Sequence, residues 1–314
     1  MSDNIFHPKE FIRRAVEEIR ERVGEGGVVA ACSGGVDSTT SAFLTHLAVE
    51  NKLLAVFIDD GLRREGEPEF VVELLRKLGW RRKYVHAKKM FFEGLRNKTD
   101  AEEKRKAFRE TFYRKLGEIV SDEGAKFLVQ GTIAADIAET VGGIKTQHNV
   151  LSQIGIDPKQ YGFELIEPLR YLYKPQVRLV ATELGLPREV SDRMPFPGPA
   201  LAIRVLGEVT PEKVEVVRKA TKIVEEEATN LEAFQAFAVL LSNKTTGVKN
   251  GKRIYGDMIT IRVVWSKDAI TASVVQVPYD TLFKISQRIT SEISSVVRCL
   301  FDLTNKPPAT IEFE

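Results

Sequence analysis

The stretch LLAVFIDD (53–60) places six apolar residues in succession, with no polar residue alternating between them. A strand with one wet face alternates; a strand apolar on both faces must be covered on both, as in parallel sheets flanked by helices. Comparable short runs occur at GVVAACS (27–33), RKYVHAK (82–88), KFLVQGT (126–132) and ELIEPL (164–169). Helical stretches separate them: DSTTSAFLTHLAVEN, EPEFVVELLRKLG and DAEEKRKAFRETFYRKLGEIV. The last is preceded by Thr99 and carries Glu102, a capping-box spacing, and it sets Phe108, Phe112, Leu116 and Ile119 on one face. The alternation predicts an α/β fold with a parallel sheet, in which ligands bind beyond the carboxyl ends of the strands where strand order reverses.

The pattern changes at RMPFPGPALAIRVLGEVTPEKV, where Pro195, Pro197 and Pro199 rule out a continuous helix or a central strand. A boundary is expected here, giving a first domain over 1–198 and a second over 199–314. The second reads as a helix over 211–228, β-like runs FQAFAVLLS, KRIYGDMITIRVVW, ITASVVQV and SVVRCLFDLT, and a helix from Asp280 with Leu282, Ile285, Ile289 and Ile293 on one face. That is a smaller α+β domain.

Composition narrows the setting. The net charge is +2, from 46 basic and 44 acidic residues, which provides no global field for a polyanion, so no nucleic-acid partner is expected. No apolar run approaches the roughly 20 residues of a membrane helix, and the N-terminus enters an amphipathic charged helix without a secretory leader. Cys32 and Cys299 lie far apart in apolar surroundings, which suits buried thiols in a reducing compartment. A cytoplasmic location without membrane association is expected.

The chemistry concentrates at Ser33-Gly34-Gly35-Val36-Asp37-Ser38, directly after an apolar strand and before a helix. Glycines at a helix N-terminus expose backbone N–H groups at the positive end of the dipole, which forms an anion cradle. The nucleotide P-loop requires a lysine after its glycines, and none follows here. Asp37 would repel a phosphate unless Mg²⁺ lay between them, so phosphate plus metal accounts for both features. The same string also suits a tight turn with Asp37 or Ser38 as the helix cap.

The six-residue string resembles the pyrophosphate loop of the ATP pyrophosphatases, whose fold is similar to that of the adenine nucleotide alpha hydrolases. FIDDGLRREGE, DAEEKRKAFRETF, QGTIAADIAET, IKTQHNV, FELIEPLRYLYKPQVR, MPFPGPALAIRVLGEVTPEKV and DLTNKPPATIEFE follow in the order found in the GMP synthetase family, across its ATP-pyrophosphatase and dimerisation half. The resemblance implies a carbon–nitrogen ligase of purine biosynthesis. XMP is adenylated by ATP with release of pyrophosphate, and ammonia then displaces AMP to give GMP. An ATP-dependent adenylating enzyme of tRNA thiolation is the alternative; it predicts a basic groove, and the charge balance provides none.

The resemblance also implies roles for individual residues. Ser33, Gly34, Gly35, Val36, Asp37, Ser38, Thr39 and Gly131 bind ATP and its pyrophosphate; Asp37, Lys145 and His148 act at the adenylating centre; Asp37, Asp136 and Glu139 hold Mg²⁺; Arg105, Lys306, Ile311 and Glu312 bind XMP. Read without it, Asp136 and Glu139 are a polar helix start, His148 is a surface histidine and Arg105 lies on a solvated helix face. The chain departs from the family pattern at Ala135-Asp136, Glu139-Thr140, Leu151-Ser152 and Phe313. With the loop starting at Ser33 there is no room ahead of it for a fused glutaminase, so ammonia is expected from a separate glutaminase subunit, and the chain is expected to form a homodimer through its second domain.

Overall fold

The computed structural model describes residues 6–141, 158–191, 193–267 and 269–314, and for 138–141 the backbone alone. Contacts divide the chain into two compact units. The first comprises 1–59, 67–87 and 110–193; the second comprises 60–66, 88–109 and 194–314. The division therefore needs more than one cut, because two early segments belong with the C-terminal part.

In the first unit β1 (Val28–Ala31), β2 (Leu53–Asp59), β3 (Arg82–His86), β4 (Phe127–Val129) and β5 (Glu164–Ile166) form a parallel sheet in the order β3-β2-β1-β4-β5. All seven residues of β2 are buried, as its unbroken apolar run requires, whereas the edge strand β3 alternates exposed and half-buried residues. Four helices wrap the sheet: α1 (Pro8–Val23), α2 (Val36–Val49), α3 (Glu67–Lys77) and α7 (Lys174–Glu183). Ile19, Val36, Leu44, Leu74, Val177 and Val180 from them join Val28, Phe57 and Val129 in one apolar core. Each fully buried side chain of this kind contributes about 1.5–3 kcal/mol.

Several strands end sooner than the apolar runs suggest. β1 stops at Ala31, β4 at Val129 and β5 at Ile166, because past these points the chain leaves the sheet to build loops at the carboxyl ends. The helix expected to start with a capping box at Thr99 is α5 (Ala101–Asp122), and its cap is Asp100. Asp100 Oδ1 accepts the N–H groups of Glu102 and Glu103 at 2.9 and 3.0 Å, so the carboxylate one residue later takes the position assigned to Thr99. Helix α4 (Lys88–Leu95) belongs to the second unit, and α6 (Ala134–Val141) and α8 (Arg188–Ser191) to the first; the apolar periodicity does not announce α4, α7 or α8.

The second unit is built on α9 (Pro211–Glu227), β6 (Gln235–Lys249), β7 (Lys252–Trp265), β8 (Ser273–Val274), α10 (Tyr279–Glu292) and β9 (Val296–Phe301). β6 and β7 form a long antiparallel hairpin that turns at Asn250-Gly251, both with positive φ, the backbone required by the tightest hairpin turn. β8 pairs antiparallel and β9 parallel with β7, giving a mixed sheet.

Candidate active site

The order β3-β2-β1-β4-β5 reverses between β1 and β4, so the loops leaving these two strands face the crevice where such sheets bind ligands. The loop after β1 is Cys32–Gly35. Cys32 still pairs with the sheet through Val56, and Gly34 then turns the chain at φ 77° before α2 begins at Val36. A Cβ on Gly34 would lie 2.5 Å from Val71 Cγ2, so both the conformation and the packing require glycine.

Two serines tie the loop into a closed shape. Ser38 Oγ accepts from the Ser33 N–H at 3.2 Å and donates to the Gly35 carbonyl at 3.2 Å; the two hydroxyls are 3.0 Å apart, and the Gly35 N–H reaches Ser33 Oγ at 3.4 Å. The helix cap is Gly35 itself, in extended conformation, and no side chain caps it among the described residues. Asp37 and Ser38 lie inside the helix, which sets aside the reading of either as its cap. The first N–H groups of α2 thus point at the crevice with the dipole behind them, as a bound anion requires. Val36 contributes backbone only, since its side chain is buried in the core. The Thr39 side chain is also buried, and its hydroxyl has no hydrogen-bond partner among the described residues.

Gly131, in the loop after β4, supports the cradle from behind. A Cβ there would meet Ser38 N at 2.7 Å and the Asp37 carbonyl carbon at 2.8 Å. Its glycine is required for two backbones to cross.

Asp37 carries the site's charge chemistry. Its Oδ2 pairs with Lys174 Nζ at 2.6 Å, and its Oδ1 is buried without a hydrogen-bond partner among the described residues. Both side chains are about a third exposed or less, so the pair stabilises the unit by on the order of 1 kcal/mol. Lys174 is 137 residues from Asp37 in sequence, and no local pattern announces it. Arg193 comes close to the loop, its Nη1 3.7 Å from where a Cβ on Gly34 would lie. Arg193 Nη1 is 3.4 Å from Glu67 Oε1, and the guanidinium stands over the Phe70 ring at 5.1 Å.

Asp136 sits at the start of α6, where its Oδ2 accepts the Ile133 N–H at 3.0 Å, so part of its carboxylate serves as the helix cap. The side chain of Glu139 and the whole of Lys145 and His148 lie outside the described residues. Among the described residues no group of three His, Cys, Asp or Glu side chains converges as a metal cage.

The residues matched to XMP all belong to the second unit, and the structure surrounds them with partners the sequence did not suggest. Glu312 is buried. It takes a two-pronged bond from Arg204 at 3.0 and 3.1 Å and another from Gln235 Nε2 at 3.1 Å. Arg262 holds the tail by donating to the carbonyls of Thr304, Thr310 and Ile311 and to Asp302. Lys306 Nζ donates to the Ala269 carbonyl at 2.8 Å. Arg105 reaches Glu102 at 2.7 Å and the Glu314 backbone oxygen. Its neighbour Lys104 is fully buried against the Val205 carbonyl and the Glu314 carboxylate, and burial pulls its ammonium below the usual lysine range while pushing the Glu314 carboxyl up. Helical spacing could have flagged Lys104, because it lies four residues before the buried Phe108 on the apolar face; the charge run EEKRK concealed it. Arg204, Gln235 and Arg262 left no comparable signal.

Residues 8–187 match the PP-loop domain, and residues 202–313 match the GMP synthase C terminal domain. Over 318 residues the chain is 52% identical to a GMP synthase (glutamine-hydrolyzing) subunit of Methanopyrus kandleri, with 99% of this chain and 100% of that one covered. It is 50% identical over 307 residues to the subunit of the same name from Archaeoglobus fulgidus, covering 98% and 99%. Among solved structures, an NMN synthetase from Francisella tularensis shares the fold, with a TM-score of 0.50 at 17% identity over 67% of this chain and 85% of that one. With the half-identical match carried through both domains over nearly the full length, the chain belongs to the GMP synthase (glutamine-hydrolyzing) family.

Proposed function

We propose that this chain forms GMP from XMP, ATP and ammonia. The observation that carries the reading is the uncapped start of α2 behind a glycine loop at the sheet's switch point, in a chain of this family. In the first step the C2 oxygen of XMP attacks the α-phosphorus of ATP. An O–P bond forms, a ring nitrogen beside C2 gives up its proton to solvent, the bond to the β-phosphate oxygen breaks, and pyrophosphate leaves with the electron pair. The backbone N–H groups of Val36, Asp37 and Ser38 face the charge that develops on it, and they are already oriented before reaction. Ammonia then attacks C2, AMP departs with its oxygen, and the nitrogen loses a proton.

Mg²⁺ fits the donor set. The buried Oδ1 of Asp37, without a partner among the described residues, stands beside an anion cradle, and Asp136 and Glu139 would be the further carboxylates to hold the ion. When bound, the ion offsets phosphate charge. Lys145 and His148 are assigned to the adenylating centre, and Arg105, Lys306, Ile311 and Glu312 to XMP. With Glu312 held by Arg204, its carboxylate is fixed in place for a purine N–H at no further ordering cost.

A separate glutaminase subunit is the proposed source of ammonia. The proposed homodimer would use the second unit, whose Trp265, Tyr279, Phe283 and Leu303 are large exposed apolar side chains. No helix among the described residues is long and apolar enough to cross a membrane. Two free thiols suit the cytoplasm, where we place the protein.

Incubating the protein with XMP, ATP, Mg²⁺ and ammonium should give GMP, AMP and pyrophosphate in equal amounts. Glutamine should replace ammonium only when the glutaminase subunit is added. Absence of GMP with ammonium across a range of pH would overturn the assignment.

A further inference from the structure

Near its start α5 carries the charge run EEKRK (102–106), and the structure sorts its members by face. Lys104 and Phe108, four residues apart, are buried. Arg105 and Arg109 each follow one of them, so they too stand four apart, half-buried beside that face, with Cβ atoms about 5–6 Å from each other. Two like charges at this spacing destabilise a helix unless something negative lies against them. For Arg105 the protein meets that need: Nη1 donates to Glu102 Oε1 at 2.7 Å and Nη2 to the Glu314 backbone oxygen. Arg109 has no such company. Among the described residues it makes no ion pair and no hydrogen bond, and its Nε, like that of Arg105, is buried without an acceptor. Buried donors of this kind are costly to leave unmatched, and here two occur one turn apart on one helix.

From this geometry we infer that Arg109 binds the 5′-phosphate of XMP, standing with Arg105 as a pair of guanidiniums on successive turns. The inference rests on the reading of the chain as an enzyme that forms GMP from XMP. The cations already assigned to XMP are committed to protein oxygens: Arg105 to Glu102 and Glu314, and Lys306 Nζ to the Ala269 carbonyl at 2.8 Å. A phosphate dianion brought to Arg105 needs positive charge that these contacts have not absorbed, and Arg109 supplies it one turn along the same helix. Arg109 also belongs to the second unit, with every other residue assigned to XMP, whereas the loop assigned to ATP belongs to the first. A guanidinium fork matches phosphate oxygens with two parallel N–H donors. Arg109 exchanges no proton and forms no covalent bond. The 5′-phosphate is unchanged by the chemistry at C2, so its contact is equal before and during reaction and acts on affinity for XMP.

The test compares wild type, Arg109→Gln and Arg109→Lys. Calorimetry measures binding of XMP and, separately, of ATP with Mg²⁺, alongside GMP formation from XMP, ATP and ammonium. Loss of a charge-assisted contact should weaken XMP binding of R109Q about 10- to 100-fold. ATP should bind within about twofold of wild type, and kcat at saturating XMP should also stay within about twofold, the pattern of a contact made equally in ground and transition states. R109K, which keeps the charge but not the fork, should fall between the other two. The melting temperature of R109Q should not fall, since one of two like charges four residues apart is gone; a purely structural arginine would lower it. Equal XMP affinity in R109Q and wild type, or equal losses for XMP and ATP, would overturn the inference while leaving the functional assignment intact, because wild type still forms GMP. Failure of wild type to bind XMP would overturn the assignment and the inference with it.

Discussion

Three glycines surround the pyrophosphate loop, and the fold requires only two of them. A methyl at Gly34 would lie 2.5 Å from Val71 Cγ2 on a residue with φ 77°, and one at Gly131 would lie 2.7 Å from Ser38 N. At Gly35 the methyl would meet nothing closer than Ser33 Oγ at 3.5 Å, and the backbone, at φ −77° and ψ 157°, is open to any residue. Gly35→Ala should therefore fold normally. The poorer cap costs up to about 1 kcal/mol, and the reduced freedom of the unfolded chain returns about 0.4–1 kcal/mol. Gly34→Ala loses about 1–2 kcal/mol to the left-handed backbone and about 1–3 kcal/mol to the clash, about 2–5 kcal/mol together.

The two variants should nevertheless share one defect. A methyl at residue 35 stands where a phosphate must approach the first N–H groups of α2. Losing two charge-assisted contacts at about 1.5–3 kcal/mol each weakens ATP and pyrophosphate binding by about 100-fold or more. Thermal melting separates the variants, and calorimetry with pyrophosphate and Mg²⁺ unites them. G35A with a normal melting temperature and unchanged pyrophosphate affinity would refute the reading of the loop as an anion cradle. G34A as stable as wild type would refute the packing argument.

Asp100→Ala should lower stability by about 1 kcal/mol through loss of the α5 cap, whereas Thr99→Ala should be neutral; denaturant titration distinguishes them. Glu312→Ala leaves Arg204 buried without its carboxylate, so a loss of about 3–5 kcal/mol should accompany any loss of XMP affinity. Glu312→Gln, which keeps the shape, should melt closer to wild type and show the binding defect separately. Burial pushes the Cys32 thiol up to about 12 from its ordinary value of 9.0. The unfolded chain therefore releases that proton first; the contribution of Cys32 is complete below pH 9.0 and is lost as pH rises from there toward 12. Chemical denaturation across that range should show the decline, and Cys32→Ala should flatten it.

The second unit's tail shows where reading from residues succeeds and where it stops. Lys306, Glu312 and Arg105 are visible as charges in a recognisable string, but the string does not say that Arg204 grips Glu312 or that Arg262 collects three tail carbonyls. Those partners lie 108 and 40 to 49 residues away, at the end of a short 3₁₀ helix and on a largely buried strand where an arginine has no local reason to be. The Thr99 capping box failed for a local reason: two adjacent residues compete for one cap, and the ionised side chain of Asp100 has the better charge for a helix N-terminus.

By itself the sequence determined the parallel sheet, because β2 is apolar on both faces and must be covered on both, and it carries the proposed anion site, because Ser33–Ser38 joins glycine freedom to a helix start. These follow from interactions within a few residues of chain. Only the tertiary structure decided that Lys174 stands at Asp37, that Gly131 lets two backbones cross behind the loop, and that Lys104 is buried with Glu314. Each of these depends on segments distant in sequence being brought together by core burial, which is non-directional and roughly proportional to area, so no short string records it.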